Sequence, residues 1–287
     1  MTEQNIVIEN ANSFNLTHIF ECGQCFRWNK NTDGSYTGVV KENVINIKMI
    51  NRDIYIESYG KDDLKKLFDN YFDMDRDYDE IKKELKKIDK HMEESISYGD
   101  GIRLLNQDLW ETIISFIISA NNNIPRIKGI IERISKRFGK KVEWKGVEYY
   151  TFPTPNELSK ASVEDLKNLG LGFRDVRVYE TTKMVVNGEI DLEKLHNEKD
   201  TKVVREELLK LPGVGPKVAD CILLFSTLKR LDVFPIDVWV RRVMNELYIH
   251  NEDENKVDKK EVLNLADEKF GKLQGIAQQY LFYWKRG

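Results

Sequence analysis

Cysteine, histidine, proline and long apolar runs are all scarce in this 287-residue chain, and each shortage closes off a class of protein. Three cysteines cannot frame a disulfide scaffold, which points to a reducing compartment. They also cannot furnish a four-cysteine iron–sulfur site. Cys22 and Cys25 make a C-x-x-C pair, but zinc needs further soft ligands, and Cys221 is the only other cysteine. The four histidines (His18, His91, His196, His250) show no ligand spacing, so neither a metal nor a cofactor is expected. A thioredoxin-like role lacks its βαβ context. The most apolar stretch, "LWETIISFIISA" (109–120), has the length of a buried core helix rather than a membrane span. The opening "MTEQNIVIEN" is acidic and polar, unlike a signal peptide. Charge of one sign is lacking too: the net charge of −3 argues against a wholesale polyanion binder. It is uneven, however. Asn121 to Lys145 carries eight Lys/Arg against two Glu, a strip that fits a nucleic-acid backbone or, more blandly, a solvated helix face.

What is present divides into a β part and a helical part. Residues 24–58 alternate apolar and polar, with a hairpin signal at Asp33-Gly34, as half-buried antiparallel strands do. "DDLKKLFDNYF" and "YDEIKKELKKI" read as amphipathic helices. After Gly101 the pattern is almost wholly helical. Gln107–Ala120 is apolar on most of its surface. Asn123 suits a helix cap, Pro125 its first turn and Gly139 its end. "WKGVEYYTFPTP" reads as a loop. Further helices are expected near 155–169, 173–187, 201–210, 215–228, 237–249, 259–270 and 274–285.

The most informative stretch is "LLKLPGVGPKVADCILLF". An amphipathic helix lies on each side of an L-P-G-V-G turn. Gly213 and Gly215 let the backbone turn and approach a ligand closely. The free N–H groups there, with the following helix N-terminus, suit a phosphate. This is a helix-hairpin-helix signature, which binds the DNA backbone without reading sequence. Lys217 follows at once, in a first helical turn that disfavours a cation. An ordinary lysine, with a pKa near ~10.4, keeps its proton at neutral pH, so a nucleophilic one needs a special place. Cys221 lies one turn on, on the same face. Asp237, in "PIDVWV", precedes an apolar helix. Its modest role is an N-cap. Pinned there, it also stabilises a developing cation. A lysine with a fixed carboxylate suits cleavage of an N-glycosidic bond, with oxocarbenium character stabilised by the carboxylate and captured by the amine.

"LPGVGPKVADC" followed by "PIDVWV" resembles the helix-hairpin-helix-Gly/Pro-Asp (HhH-GPD) superfamily of base-excision DNA glycosylases. "GQCFRW" (23–28), "SANNNIPRI" (119–127), "LGLGFR" (169–174) and "AQQYLF" (277–282), in that order, are similar to its 8-oxoguanine DNA glycosylase/AP lyase branch. The resemblance implies an α+β fold, with an N-terminal antiparallel β-sheet domain (1–100) packed on a mostly α-helical core. That core comprises one helical domain from 101–150 plus 251–287 and a second, 151–250, that carries the helix-hairpin-helix. It implies a bifunctional enzyme excising 8-oxoguanine and related oxidised purines from duplex DNA by base flipping and a lysine Schiff base. Lys217 falls on the family's nucleophile and Asp237 on its aspartate. Gly23 falls on the glycine whose carbonyl accepts the N7–H of the oxidised base. Phe282 and Cys221 fall on the two faces of the flipped base, and Gln278 on its Watson–Crick edge. Asn121 fills the gap left in the helix, Phe173 (tyrosine in some members) wedges the bend, and Arg126 and Arg174 read the orphaned cytosine. Gly213 and Gly215 hold the backbone. Trp239 stands where some members carry histidine and leaves that phosphate contact open. Taken singly, Phe282 reads as core, Gln278 as a solvated polar residue and Gly23 as a turn glycine. The implied partner is double-stranded DNA with an oxidised purine, bound by a monomer in a bacterial or archaeal cytoplasm and nucleoid, with no membrane. A monofunctional alkylated-base glycosylase of the same superfamily and a non-catalytic helix-hairpin-helix protein are the alternatives. Neither needs both Lys217 and Asp237.

Overall fold

The computed structural model describes residues 1–286; Gly287, the last residue of the expected 251–287 segment, lies outside the described residues. The chain opens with β1 (Thr2–Ile8) and α1 (Leu16–Phe20), followed by β2 (Trp28–Lys30), β3 (Tyr36–Val40), β4 (Asn43–Ile50) and β5 (Asp53–Gly60). These strands form one antiparallel sheet in the order β1-β5-β4-β3-β2. The hairpin expected at Asp33-Gly34 is there: Gly34 takes φ +84°, and Asn29 pairs with Thr37. β1 is not among the sequence expectations. Its polar composition hides an alternation in which Ile6 and Ile8 pack on the core while Val7 is exposed. It adds to the sheet edge with Ile6 opposite Ile56. The buried face packs on α2 (Leu64–Tyr71) in an aromatic core, where Phe20 stacks on Trp28 at 4.3 Å and Trp28 Nε1 donates to the Tyr71 hydroxyl at 3.0 Å.

Two aspartate-capped helices, α3 (Tyr78–Lys86) and α4 (Lys90–Tyr98), lead into the helical core. α5 (Leu109–Ser119) buries nearly every side chain. α6 (Ile124–Phe138) starts and stops where the sequence places it, with Asn123 Oδ1 accepting the Arg126 N–H at 3.0 Å. Gly139 ends it because the chain passes so close that a Cβ would lie 1.9 Å from the Thr151 carbonyl oxygen.

The segment expected as a loop, 144–155, holds the turn and second strand of a hairpin, β6 (Lys141–Trp144) and β7 (Val147–Tyr150). Lys145 and Gly146 both have positive φ, +51° and +75°, as the tight turns matching strand twist require. Four-residue strands carry too little alternation to be seen locally. Tertiary packing holds this hairpin: Val142 and Trp144 join Val39 and Val44 in a small core, and Trp144 Nε1 donates to Glu3 at 3.0 Å.

The single helix expected at 155–169 is two, α7 (Pro155–Leu158) and α8 (Val163–Asn168), because Ser162 starts a new helix in a capping box with Asp165. There follow α9 (Asp175–Val186), α10 (Leu192–Asn197), α11 (Thr201–Leu209), α12 (Pro216–Phe225), α13 (Val238–Met244), α14 (Lys259–Phe270) and α15 (Gln274–Arg286). α5 and α12 are the most buried helices, and Phe116 stacks on Phe225 between them at 5.6 Å. Sheet and helices are pinned together at the loop after α1. Gln24 donates to the Ile19 and Arg103 carbonyls at 2.8 Å each and accepts from the Leu105 N–H at 2.9 Å. Gln107 in turn donates to the carbonyls of Gln24 and Phe225. The loop that carries Gly23 is thereby fixed against the end of α12.

Candidate active site

The L-P-G-V-G turn joins α11 to α12 as the sequence requires. Gly213 has φ +87°, the left-handed region that favours glycine. Gly215 is the N-cap of α12 and offers no side-chain cap, so the first-turn N–H groups have no capping side chain. Across the hairpin, Arg205 on α11 pairs with buried Asp220 on α12 at 2.6 Å. Burial pushes the Asp220 carboxyl up to about 6 against the pull of Arg205. Asp220 thus ties the two helices together and is not among the residues around Lys217.

Lys217 is half-buried in the first turn of α12, with Nζ 5.6 Å from the Phe116 ring centroid. Burial pushes the Cys221 thiol one turn on up to about 11, partly offset by the adjacent Lys217. The thiol stays protonated, a neutral surface rather than a rival nucleophile. Asp237 is the N-cap of α13, and its Oδ1 accepts the Val240 N–H at 2.8 Å. This bond orients the carboxylate, which lines the same small cavity as Lys217 and Cys221. Gly23, Gln278 and Phe282 close that cavity, whose volume is about 50 Å³. Gly23 has φ +85°, the left-handed region that favours glycine, and an added Cβ would meet the Phe282 ring at an ordinary 3.6 Å. The expected catalytic pair and the four residues expected around the lesion base therefore come together from three remote parts of the chain.

Gln278 is buried, and its Oε1 has no hydrogen-bond partner among the described residues. An unpaired buried acceptor costs about 1–3 kcal/mol. Its retention in a cavity beside Lys217 makes sense as an acceptor for a ligand's donor. Gln278→Leu is therefore expected to raise the Tm of the free protein, by about 2–4 °C per kcal/mol regained, while slowing base excision. A lowered Tm with excision intact would make Gln278 a packing residue only.

Sequence reasoning missed three neighbours. Phe116 lies against the ammonium but reads as one more apolar residue of α5. Phe225 likewise reads as core. Gln279 donates to the Cys22 carbonyl at 2.7 Å and so anchors the Gly23 loop to α15. The doublet Gln278-Gln279, set between apolar Ile276-Ala277 and Tyr280-Leu281, is the one signal that could have flagged it. Cys22 and Cys25 are both fully buried. Burial pushes Cys22 up to about 12 and Cys25 higher still, so neither offers a thiolate. A larger cavity of about 390 Å³ lies between β3, α2 and the start of α5, but none of the expected site residues lines it.

The remaining expected residues form a second group, outside the cavity. Asn121 is exposed at φ +51° in the turn between α5 and α6. Phe173 is 54% exposed, a large apolar side chain standing in solvent. Arg126 is exposed and reaches the Gly170 carbonyl at 3.4 Å. Arg174 differs from its sequence reading. It is only 1% exposed, and its guanidinium donates to the carbonyls of Ala120 at 2.9 Å, Asn121 at 2.7 Å and Leu171 at 3.1 Å. In this state it supports the Asn121 turn and is not free to meet a base. Trp239 is exposed on α13, with Arg242 5.7 Å from its ring. Much of the basic strip is occupied. Lys128 donates to the Trp28 carbonyl and Arg133 to that of Leu169, while Lys140, Lys141 and Lys145 pair with Glu42, Glu148 and Glu57. Among the described residues, Lys136 and Arg137 have no such partner.

Comparison with known proteins agrees with this architecture. The family described as HhH-GPD superfamily base excision DNA repair protein matches residues 114–271, and the N-terminal domain of 8-oxoguanine DNA glycosylase matches residues 6–113. The chain belongs to the HhH-GPD superfamily of base-excision DNA repair proteins. Within it, the chain falls in the 8-oxoguanine DNA glycosylase/AP lyase branch. It is similar to the apo crystal structure of Clostridium acetobutylicum 8-oxoguanine glycosylase/lyase, with 42% identity, 99% of this chain and 98% of that chain covered, and a TM-score of 0.91. The same enzyme in complex with double-stranded DNA containing cytosine opposite 8-oxoguanine gives a TM-score of 0.92 at 42% identity, covering 99% of this chain and 97% of that one. A probable N-glycosylase/DNA lyase of Methanothermobacter thermautotrophicus is 31% identical over 242 residues, 77% of this chain and 73% of that protein.

Proposed function

We propose that this protein is a bifunctional DNA glycosylase/AP lyase that excises 8-oxoguanine from duplex DNA. The observation that carries this reading is one cavity lined by Lys217, Asp237 and the unpartnered acceptor of Gln278, closed by Gly23 and Phe282. A base inside a duplex cannot reach it, so the nucleotide must be flipped. Phe173, standing exposed beside the Asn121 turn, is placed to wedge the bend while Asn121 fills the gap. In the cavity, the C1′–N9 bond breaks with its electron pair passing to the base. The Asp237 carboxylate stabilises the cationic character at C1′. The Lys217 amine lone pair forms the new C1′–N bond and gives up a proton, and ring opening leaves a Schiff base. Loss of a C2′ proton then expels the 3′ phosphate and cuts the strand. The Gly23 carbonyl, positioned by Gln24 and Gln279, accepts the N7–H that guanine lacks.

Residues from each of the three expected segments line this cavity. Cys22 and Gly23 come from residues 1–100, Phe116, Gln278 and Phe282 from 101–150 plus the C-terminal segment, and Lys217 and Asp237 from 151–250. No helix among the described residues is long and apolar enough to cross a membrane. Both residue groups lie on one chain, so the proposed reaction needs no side chain from a second copy.

The cytosine reading supplies a test. Arg126 is exposed next to Asn121, and its guanidinium suits cytosine N3 and O2, whereas adenine offers no matching acceptor pair. A lost bidentate base contact is worth about 1–3 kcal/mol, roughly 5- to 150-fold. Single-turnover excision opposite cytosine is expected to exceed that opposite adenine by at least about fivefold. Arg126→Ala narrows the gap by slowing the cytosine substrate. Arg174→Ala does so as well, through loss of support for the Asn121 turn, and with a lowered Tm. Equal rates on the two duplexes in the unmodified protein would remove the opposite-base role. Equal release of 8-oxoguanine and guanine would remove the proposed function.

A further inference from the structure

α9 carries an arginine that none of the roles above uses. Phe173, Arg177 and Thr181 recur at four-residue spacing, so they share one face where the chain enters and follows this helix. Thr181 Oγ1 donates to the Pro212 carbonyl at 3.3 Å, which docks this face on the helix-hairpin-helix turn. The stem of Arg177 lies across Gly213, where an added Cβ would come within 2.7 Å of the Arg177 Cδ. Its guanidinium reaches to 5.0 Å from the Phe173 ring centroid. Among the described residues, no carboxylate pairs with Arg177 and no hydrogen bond engages its guanidinium. Its charge adds to a cationic cluster: Arg126 and Arg177 both act on buried Arg174, while Asp175 and Glu180 on the same helix form no ion pair with Arg177 among the described residues. Uncompensated guanidinium charge between an exposed aromatic wedge and an anion-binding turn is unfavourable in the free protein. It becomes favourable when a polyanion lies across the surface.

We propose that Arg177 binds a duplex phosphate lying between the bend at Phe173 and the phosphate held by the Gly213–Gly215 turn, an inference that rests on the DNA-enzyme reading above. The contact links the wedge to the backbone anchor, so that bending and delivery of the lesion nucleotide occur in one register. It also gives position 213 a second reason to be glycine, since any side chain there would displace the Arg177 stem as well as strain the turn.

The test is the salt dependence of binding to a duplex carrying an abasic-site analogue. Arg177→Ala is expected to lower the slope of log K against log salt by about 0.9, so that its affinity deficit shrinks about 3.5-fold between 50 and 200 mM salt. Arg177→Gln, which keeps the stem over Gly213, should lose the same slope, and Arg177→Lys should keep it. Lys83→Ala removes an equal charge from the remote helix α3 and should leave the slope unchanged. The preference for cytosine over adenine stays intact in Arg177→Ala, because a phosphate carries no base identity. An unchanged slope in Arg177→Ala, or an equal loss in Lys83→Ala, overturns the assignment. Excision by the unmodified protein separates the two claims. Release of 8-oxoguanine without a slope change in Arg177→Ala overturns only the Arg177 contact. A slope change without release overturns only the proposed function.

Discussion

Lys217→Gln is expected to bind lesion-containing duplex about as well as the unmodified protein and to release no base from it. Glutamine keeps much of the stem that packs near Phe116, so the cavity wall stays in place, but its amide has no nucleophilic lone pair. The attack on C1′ and the Schiff base both disappear. Single-turnover excision should fall by at least about three orders of magnitude, or about 4 kcal/mol of barrier. Borohydride trapping should vanish with it, since only a lysine imine is reduced to a stable amine. Binding to an abasic-site analogue reports that the surface is intact. Trapping retained by Lys217→Gln would show that another amine performs the reaction.

Asp237→Asn separates two roles that one side chain combines. The asparagine amide oxygen can still accept the Val240 N–H, and asparagine is as good an N-cap as aspartate. Stability should therefore be nearly unchanged. The negative charge is lost, and with it the stabilisation of the cationic sugar. Removing one preorganised electrostatic partner in a water-poor site costs about 10²–10³ in rate. Asp237→Ala loses the cap too, a further destabilisation of about 1 kcal/mol, visible as a lowered Tm. Full single-turnover activity in Asp237→Asn would reduce Asp237 to a cap.

Legibility in the sequence followed the range of the physics involved. Lys217 could be placed because the turn that presents it is seven residues wide, and Gly213, Gly215 and Pro216 each act locally. The same holds for Asp237 and Asn123, whose caps reach three residues ahead. The Asp33-Gly34 hairpin was legible for that reason as well. Features made by distant partners were not. β1 exists because β5 lies beside it, and the β6–β7 hairpin because Val39 and Val44 receive Val142 and Trp144. The basic strip looked free because Glu42 and Glu57 are about 85–100 residues from the lysines they pair with. Arg174 looked like a base reader, and nothing local indicates that its donors are taken up by the carbonyls of the Asn121 turn. Gln279 was hidden in the same way, its partner lying at Cys22 across the fold. The cavity residues from remote segments were placed by resemblance to the glycosylase family, since no local rule relates Gly23 to Phe282.

The central claim is that one amine, on the first turn of α12, becomes bonded to the sugar. It is tested most directly by trapping the unmodified protein with borohydride on a duplex carrying 8-oxoguanine opposite cytosine, digesting the adduct and locating the modified residue by mass spectrometry. A single deoxyribose-derived modification on Lys217 is expected. A modification on the Met1 amine or on any other lysine, or base release with no adduct, would contradict it.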